Sequence, residues 1–349
     1  MAKGEYMKKG SRYTIVFVIC IMLLAITSLS VSASPAEKDD VVKIKVTTVQ
    51  LDNQQMGKGI ALFKQLVDER LAGKVELLTY TGGQLYSNAE ELEAIKNGDI
   101  EMCFAVGSTM TTLDETMSIF KLPYLFPNTD VAYSIMDGEI GQNILANVQK
   151  QGINVLGAFS SGSVIISNSS HPIQMPADFT GLKLRVSGKM ESAIIDALGG
   201  VSTVIPSEET YTGLQQKVVD GLATPSTVFA VRKYHEVNKF VTNAGLLYWP
   251  IGFILTNDAF WNDLPEDIRT ELSAIVTEVL ATMRADDAKE VQEMLTYVES
   301  EGCQIHTVTP EEAEAWKEAT KVLYDTYADS IGADLIDMVE KAVADFGNK

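Results

Sequence analysis

Residues 265–300 read PEDIRTELSAIVTEVLATMRADDAKEVQEMLTYVES, and after Pro265 the stretch holds neither proline nor glycine. Ile268, Leu272, Ile275, Val279, Met283, Val291, Leu295 and Val298 recur at near-helical spacing. Pro265 suits a first helical turn, and Gly302 lies just past the far end. About 35 residues rising about 1.5 Å each give a helix roughly 50 Å long, more than the width of one small domain. The spacing predicts a spine running along two lobes, with a bent pair of helices as the alternative.

Upstream, the chain carries an α/β pattern twice. Val42-Lys43-Ile44-Lys45-Val46 alternates apolar and charged residues, as a strand does. Ile60, Phe63, Val67 and Leu71 mark one face of a helix, and Val75 to Tyr80 returns to strand. Ser87 and Glu90 have capping-box spacing, and Asn97-Gly98 ends that helix before the apolar strand Ile100 to Val106. In the middle, Val164 to Ser167, Leu182 to Val186 and Val201 to Ile205 read as strands. Lys189 to Leu198 and the stripe Tyr211, Leu214 and Val218 read as helices. This order predicts an α/β protein with largely parallel strands and a ligand cleft between two facing lobes. The expected division is lobe I over 34–162 plus about 251–285, and lobe II over 163–250 plus about 286–349.

Composition narrows the class. The 349 residues are 46% apolar and 21% charged, a globular balance with room for two cores. The net charge of -19 repels phosphate backbones and anionic headgroups, so nucleic acid is not an expected partner. An anionic ligand would need a local cationic clamp. Lys3, Lys8, Lys9 and Arg12 precede an apolar run from Tyr13 to Leu29, and Val31-Ser32-Ala33 offers small residues for cleavage. That is the layout of a signal peptide over 1–33, with a retained membrane anchor as the alternative. Its removal takes four basic residues and Glu5, leaving -22 on a periplasmic or otherwise extracytoplasmic chain with no direct membrane insertion.

Cys103 and Cys303 remain, as a disulfide or as two buried thiols. A chain this large needs no staple, which favours thiols. His171, His235 and His306 are scattered, and none has metal-ligand spacing. No nucleophile elbow, phosphate loop or dinucleotide fingerprint occurs. The expectation is a binding protein, not an enzyme, with no catalytic residue, metal or cofactor.

Five blocks go further. They are Gln84-Leu85-Tyr86 with Asn97-Gly98-Asp99-Ile100-Glu101-Met102; Leu122-Pro123-Tyr124-Leu125-Phe126-Pro127; Gly181-Leu182-Lys183-Leu184-Arg185-Val186; Tyr211-Thr212-Gly213-Leu214-Gln215-Gln216 with Val218-Val219-Asp220-Gly221; and Phe260-Trp261 with Leu264-Pro265-Glu266-Asp267. In this order the chain resembles the DctP-type solute-binding proteins of tripartite ATP-independent periplasmic (TRAP) transporters over nearly its whole mature length. The resemblance implies a two-lobe, periplasmic-binding-protein-like (type II) fold with the long helix spanning both lobes. It also implies closure on a small organic anion and delivery to TRAP membrane permease subunits.

The resemblance implies that Arg185 pairs with the ligand carboxylate. Leu182, Leu184 and Val186 alternate with Lys183 and Arg185, which puts Arg185 on the non-core face. A guanidinium grips a carboxylate through two parallel hydrogen bonds. Thr224 and Ser207 stand where the family often has Asn and Phe. Tyr86, Tyr211 and Trp249 are aromatic candidates beside Tyr248 and Phe253, and Asp52 and Ser108 complete the substrate-binding set. The family's second ligand-facing Arg is replaced within Ser161-Gly162-Ser163-Val164-Ile165, and Ala223 stands in place of a Glu. With one cationic fork, the expected ligand is a monocarboxylate with an apolar or aromatic body, because a second buried carboxylate would lack a partner. A neutral or amine solute, or a module presenting ligand to a sensor or chemotaxis partner, are the alternatives.

Overall fold

The computed structural model describes Val41–Phe346, so the expected leader over 1–33 lies outside the described residues. In chain order the elements are β1 (Val42–Thr47), α1 (Gln55–Arg70), β2 (Val75–Tyr80), α2 (Glu91–Asn97), β3 (Met102–Val106), α3 (Gly107–Met110), α4 (Thr129–Asp137), α5 (Glu139–Gln149) and β4 (Ile153–Ser160). Then follow β5 (Val164–Asn168), β6 (Lys183–Val186), α6 (Lys189–Ala197), β7 (Val201–Val204), α7 (Thr210–Gln215), β8 (Gly221–Pro225), α8 (Ser226–Phe229) and β9 (Phe240–Asn243). The last are β10 (Ile251–Asn257), α9 (Asp258–Asp263), α10 (Glu266–Ser300), β11 (Gln304–Thr307), α11 (Pro310–Thr320), α12 (Val322–Ile331) and α13 (Ala333–Phe346).

Two sheets, ordered β2-β1-β3-β10-β4 and β11-β9-β5-β8-β6-β7, each form the centre of one lobe. The chain crosses between them from Ser160 to Val164, returns from Asn243 to Ile251, and crosses again inside α10. That helix is a single element of 35 residues, not a bent pair. It packs on α1 and β4 of the first lobe and on α8 and β11 of the second.

The apolar stripe of α10 explains how one helix serves two lobes. Leu272, Ile275 and Val279 join Ile44, Val46, Phe63 and Phe104 in the first lobe's outer core. Met294 and Val298 join Ile165, Leu222, Phe229 and Val241 in the second lobe's core. Each such side chain contributes roughly 1.5–3 kcal/mol on burial. A third core joins α2 and β3 to β6 and α6 around Trp249. Cys103 and Cys303 are free, buried and in different cores.

The strands are largely parallel, as expected, but each sheet is mixed because one strand runs against the rest. β1 pairs in parallel with β2 and β3, but β10 runs antiparallel between β3 and β4. β5 likewise opposes β8 and β9. The crossings are the cause. A strand arriving from the other lobe starts at the cleft edge, where its neighbours end, and must run against them.

Candidate functional site

The strands that end at the cleft carry their last residues into one narrow cavity of about 40 Å³, where ligands of open α/β sheets bind. The β1–α1 loop of the first lobe supplies Val49, Gln50 and Gln54, and the end of β3 supplies Val106. From the second lobe come Arg185 and Ser187 at the end of β6, Ser207 in the loop between β7 and α7, Thr224 and Pro225 at the end of β8, and Arg232 just after α8. The crossing segments add Ser161, Tyr248 and Pro250. A wider chamber of about 580 Å³ adjoins it, sharing Arg185, Ser187 and Ser207 and lined opposite by Asn88, Ser108 and Thr112.

Leu184 and Val186 are fully buried in the core, so Arg185 between them points the other way, toward the cavity, with only 3% of its surface exposed. Its Nε donates to the Ile205 carbonyl at 2.8 Å and Nη2 to the Ser207 hydroxyl at 3.3 Å, which fixes the guanidinium plane. Burial pushes its pKa down, while Tyr234, Tyr248 and Glu191 act to raise it.

Lys121 ends the short 3₁₀ helix Glu115–Lys121 and bonds the carboxylate of Glu191, in the first turn of α6. Glu191 also accepts from the Ser187 hydroxyl at 3.1 Å. Burial alone would raise the Glu191 carboxyl, but the Lys121 ammonium and these hydrogen bonds hold it below its usual value. The ammonium lies 5.3 Å from the Tyr248 ring centroid. Arg232 donates from Nη2 to the Val49 carbonyl at 2.9 Å, and its buried Nε has no partner. Three cations and one carboxylate therefore face the cavity. Inside a chain of net charge -19, the cavity wall keeps two positive charges uncompensated, a local reversal of the protein's field.

The structure brings Arg185, Thr224 and Ser207 together at the inner cavity. Ser108 lies in the outer chamber, its buried hydroxyl unpartnered. The other expected residues lie elsewhere. Trp249 is packed edge-on against Phe120, Phe126 and Tyr133 in the core. The crossing bends over 245–248 and turns tightly at Pro250, where the Ile251 N–H donates to the Trp249 carbonyl at 2.8 Å; Tyr248 and Pro250 line the cavity while Trp249 lies in the core. Tyr86 packs partly buried against the same core, outside the cavity lining. Tyr211 sits on α7 against the second lobe's core and donates its hydroxyl to Glu236 at 2.7 Å. Asp52 is exposed in the β1–α1 loop and accepts from the Thr81 hydroxyl at 2.5 Å.

The expectation of a single cationic fork fails, because Arg232 and Lys121 line the same cavity. Lys121 had a readable signal: it is a lone cation inside Ile119-Phe120-Lys121-Leu122-Pro123, and a buried charge needs a partner. Arg232, in Val231-Arg232-Lys233, looks like any surface cation. Among the described residues, no group of three His, Cys, Asp or Glu side chains could hold a metal ion. No described helix is long and apolar enough to cross a membrane.

Known proteins share this fold. The profile of DctP, the bacterial extracellular solute-binding protein family 7, matches residues 46–330. The C4-dicarboxylate-binding periplasmic protein DctP of Rhodobacter capsulatus is 32% identical over 93% of this chain and 97% of its own length. A TRAP periplasmic solute-binding protein of Sulfurospirillum deleyianum, solved with bound succinate, superposes with a TM-score of 0.80 at 33% identity, covering 86% of this chain and 98% of that one. A TRAP binding protein of Ralstonia eutropha, solved with (S)-2-acetolactate, gives a TM-score of 0.81 at 26% identity, covering 87% and 99%.

Proposed function

The chain belongs to bacterial extracellular solute-binding protein family 7, the DctP-type binding proteins of TRAP transporters, which are not enzymes, and from that premise we propose that it captures a small organic diacid and delivers it to a membrane permease. The observation that carries the diacid is the pair of uncompensated positive charges in the inner cavity, contributed by Lys121, Arg185 and Arg232 against Glu191. A dianion balances that wall. A monocarboxylate with an apolar body would leave a buried cation unpaired and put its body against charged groups. This reading replaces the monocarboxylate expected from a single fork. The R. capsulatus and S. deleyianum relatives, with the acids named for them, support it.

Arg185 is the anchor for one carboxylate, and Ser207 and Thr224 flank it. Ligand bound there touches both lobes, so its differential affinity favours the closed form. The basic, apolar and small-residue order of 1–33 supports export with leader removal near Ala33.

Mass spectrometry of ligand released from freshly purified protein, followed by calorimetry with succinate and L-malate, tests the reading. Arg185→Ala should weaken binding by about 2–5 kcal/mol, and Arg185→Lys should recover only part of the loss. Failure to bind any organic acid, or unchanged binding in Arg185→Ala, would sink the proposal.

A further inference from the structure

Two buried N–H donors line the inner cavity without a protein partner, and they come from opposite lobes. One is Gln54 Nε2, in the β1–α1 loop of the first lobe. Gln54 is 1% exposed, and its Oε1 accepts the Leu51 N–H at 2.7 Å. A backbone N–H can only donate, so the amide oxygen must face Leu51, and the NH2 group is the end left over. The other is Arg232 Nε in the second lobe. Its guanidinium is tethered across the cleft through Nη2 to the Val49 carbonyl. Both unsatisfied groups are donors, and one carries a full charge. That pairing is complementary to an anionic acceptor, since a neutral hydroxyl would leave the guanidinium charge unanswered.

We propose that Gln54 and Arg232 form a second carboxylate subsite, which takes the distal carboxylate of a ligand whose other end is held by Arg185. The inference rests on the diacid-binding reading above and adds where the second charge goes and what it does there. With one donor on each lobe, the distal carboxylate bridges the lobes directly. The subsite therefore sets the preference for diacids and couples it to closure. A ligand lacking that group would bind Arg185 without drawing Gln54 toward Arg232.

Titration calorimetry with succinate and butyrate, on the mature protein and its variants, tests the subsite. Gln54→Glu keeps the oxygen that Leu51 uses but replaces the donor with an anion. Arg232→Gln removes the charge, and Arg232→Lys keeps the charge without Nε. Wild-type protein should bind succinate at least about 30-fold tighter than butyrate. Gln54→Glu and Arg232→Gln should each weaken succinate by about 30-fold or more and leave butyrate within about 3-fold. Arg232→Lys should fall between. Small-angle scattering should show that the two severe variants no longer shrink on adding succinate, and thermal unfolding without ligand confirms that each variant is folded. Should Gln54→Glu not fold, the Arg232 pair carries the test alone. Equal loss for both acids, wild-type succinate affinity in the variants, or no wild-type preference for succinate would overturn the subsite while leaving acid binding through Arg185 intact. Binding of neither acid by wild type would overturn the diacid reading and the subsite with it.

Discussion

Lys121 and Glu191 form an ion pair in the wall of the inner cavity, with 4% and 2% of their side chains exposed. The pair ties the segment after β3 to the first turn of α6, so it links chain on either side of the first crossing. Removing one partner leaves a buried charge without an answer. Lys121→Met should cost about 3–5 kcal/mol in urea unfolding, and Lys121→Met with Glu191→Gln should recover most of it. A double variant as unstable as the single one would show that the pair matters by packing and not by charge.

Glu91, the first residue of α2, has 2% of its surface exposed. Burial pushes its carboxyl up to about 8, the Thr47 hydroxyl pulls the other way, and Glu208 on the chamber wall pushes it up further. The folded protein therefore holds a proton that the unfolded chain releases above the usual carboxylate range. The stability from that proton is complete below pH 4.5 and is lost as pH rises through about 8. Glu91→Gln should flatten the decline and be more stable than wild type by about 2–4 kcal/mol above that range. Parallel stability-versus-pH curves for the two proteins would refute the assignment.

Cys103 lies in the core shared by α2 and β3, and Cys303 in the core of the second lobe. Burial pushes the Cys103 thiol well above its usual value and raises that of Cys303. Both should be unreactive toward a thiol reagent in the folded mature chain, and two thiols should titrate after denaturation without reductant. Recovery of the thiols only after reduction would mean the chain carries a disulfide.

Gly162 sits in the first crossing with φ +88°, and a methyl group there would lie 2.1 Å from the Ser226 hydroxyl and 2.9 Å from Val291. Gly162→Ala should lower stability by about 1–3 kcal/mol through backbone strain and overlap. Because Ser161 next to it lines the cavity, ligand affinity should fall too. Wild-type unfolding and binding in this variant would show that the crossing is looser than these contacts imply.

Elements with a strong period were legible before any coordinates. The α10 stripe, the alternation of β1 and the strand carrying Arg185 are local patterns, and each is where the residues place it. Strand direction was not legible: β10 is as apolar as a parallel strand, and only the path of the chain through the other lobe makes it antiparallel. In the site, Arg185 could be read because its neighbours in β6 are apolar. Arg232 could not, since a cation in an irregular segment has no periodicity to say which way it faces. The aromatic residues were misjudged by one position at Trp249, because a crossing built of bends has no period to say which side chain faces the cavity.

The three links between the lobes act in parallel: two are short irregular segments, 161–163 and 244–250, and one is a rod. Two flexible straps alone would let the halves swing, twist and slide. A rod seated in both halves removes most of that freedom, because Leu272 and Ile275 are embedded at one end and Met294 and Val298 at the other. Long helices bend gently, with radii of roughly 60–100 Å, and kink sharply only at features such as Pro or a Gly/Ser pair; residues 266–300 contain neither proline nor glycine. The expected opening is therefore a short stroke, limited by how far this rod can bow before its side chains leave their sockets, and a scattering-derived change in radius of gyration too large for such bowing would contradict it.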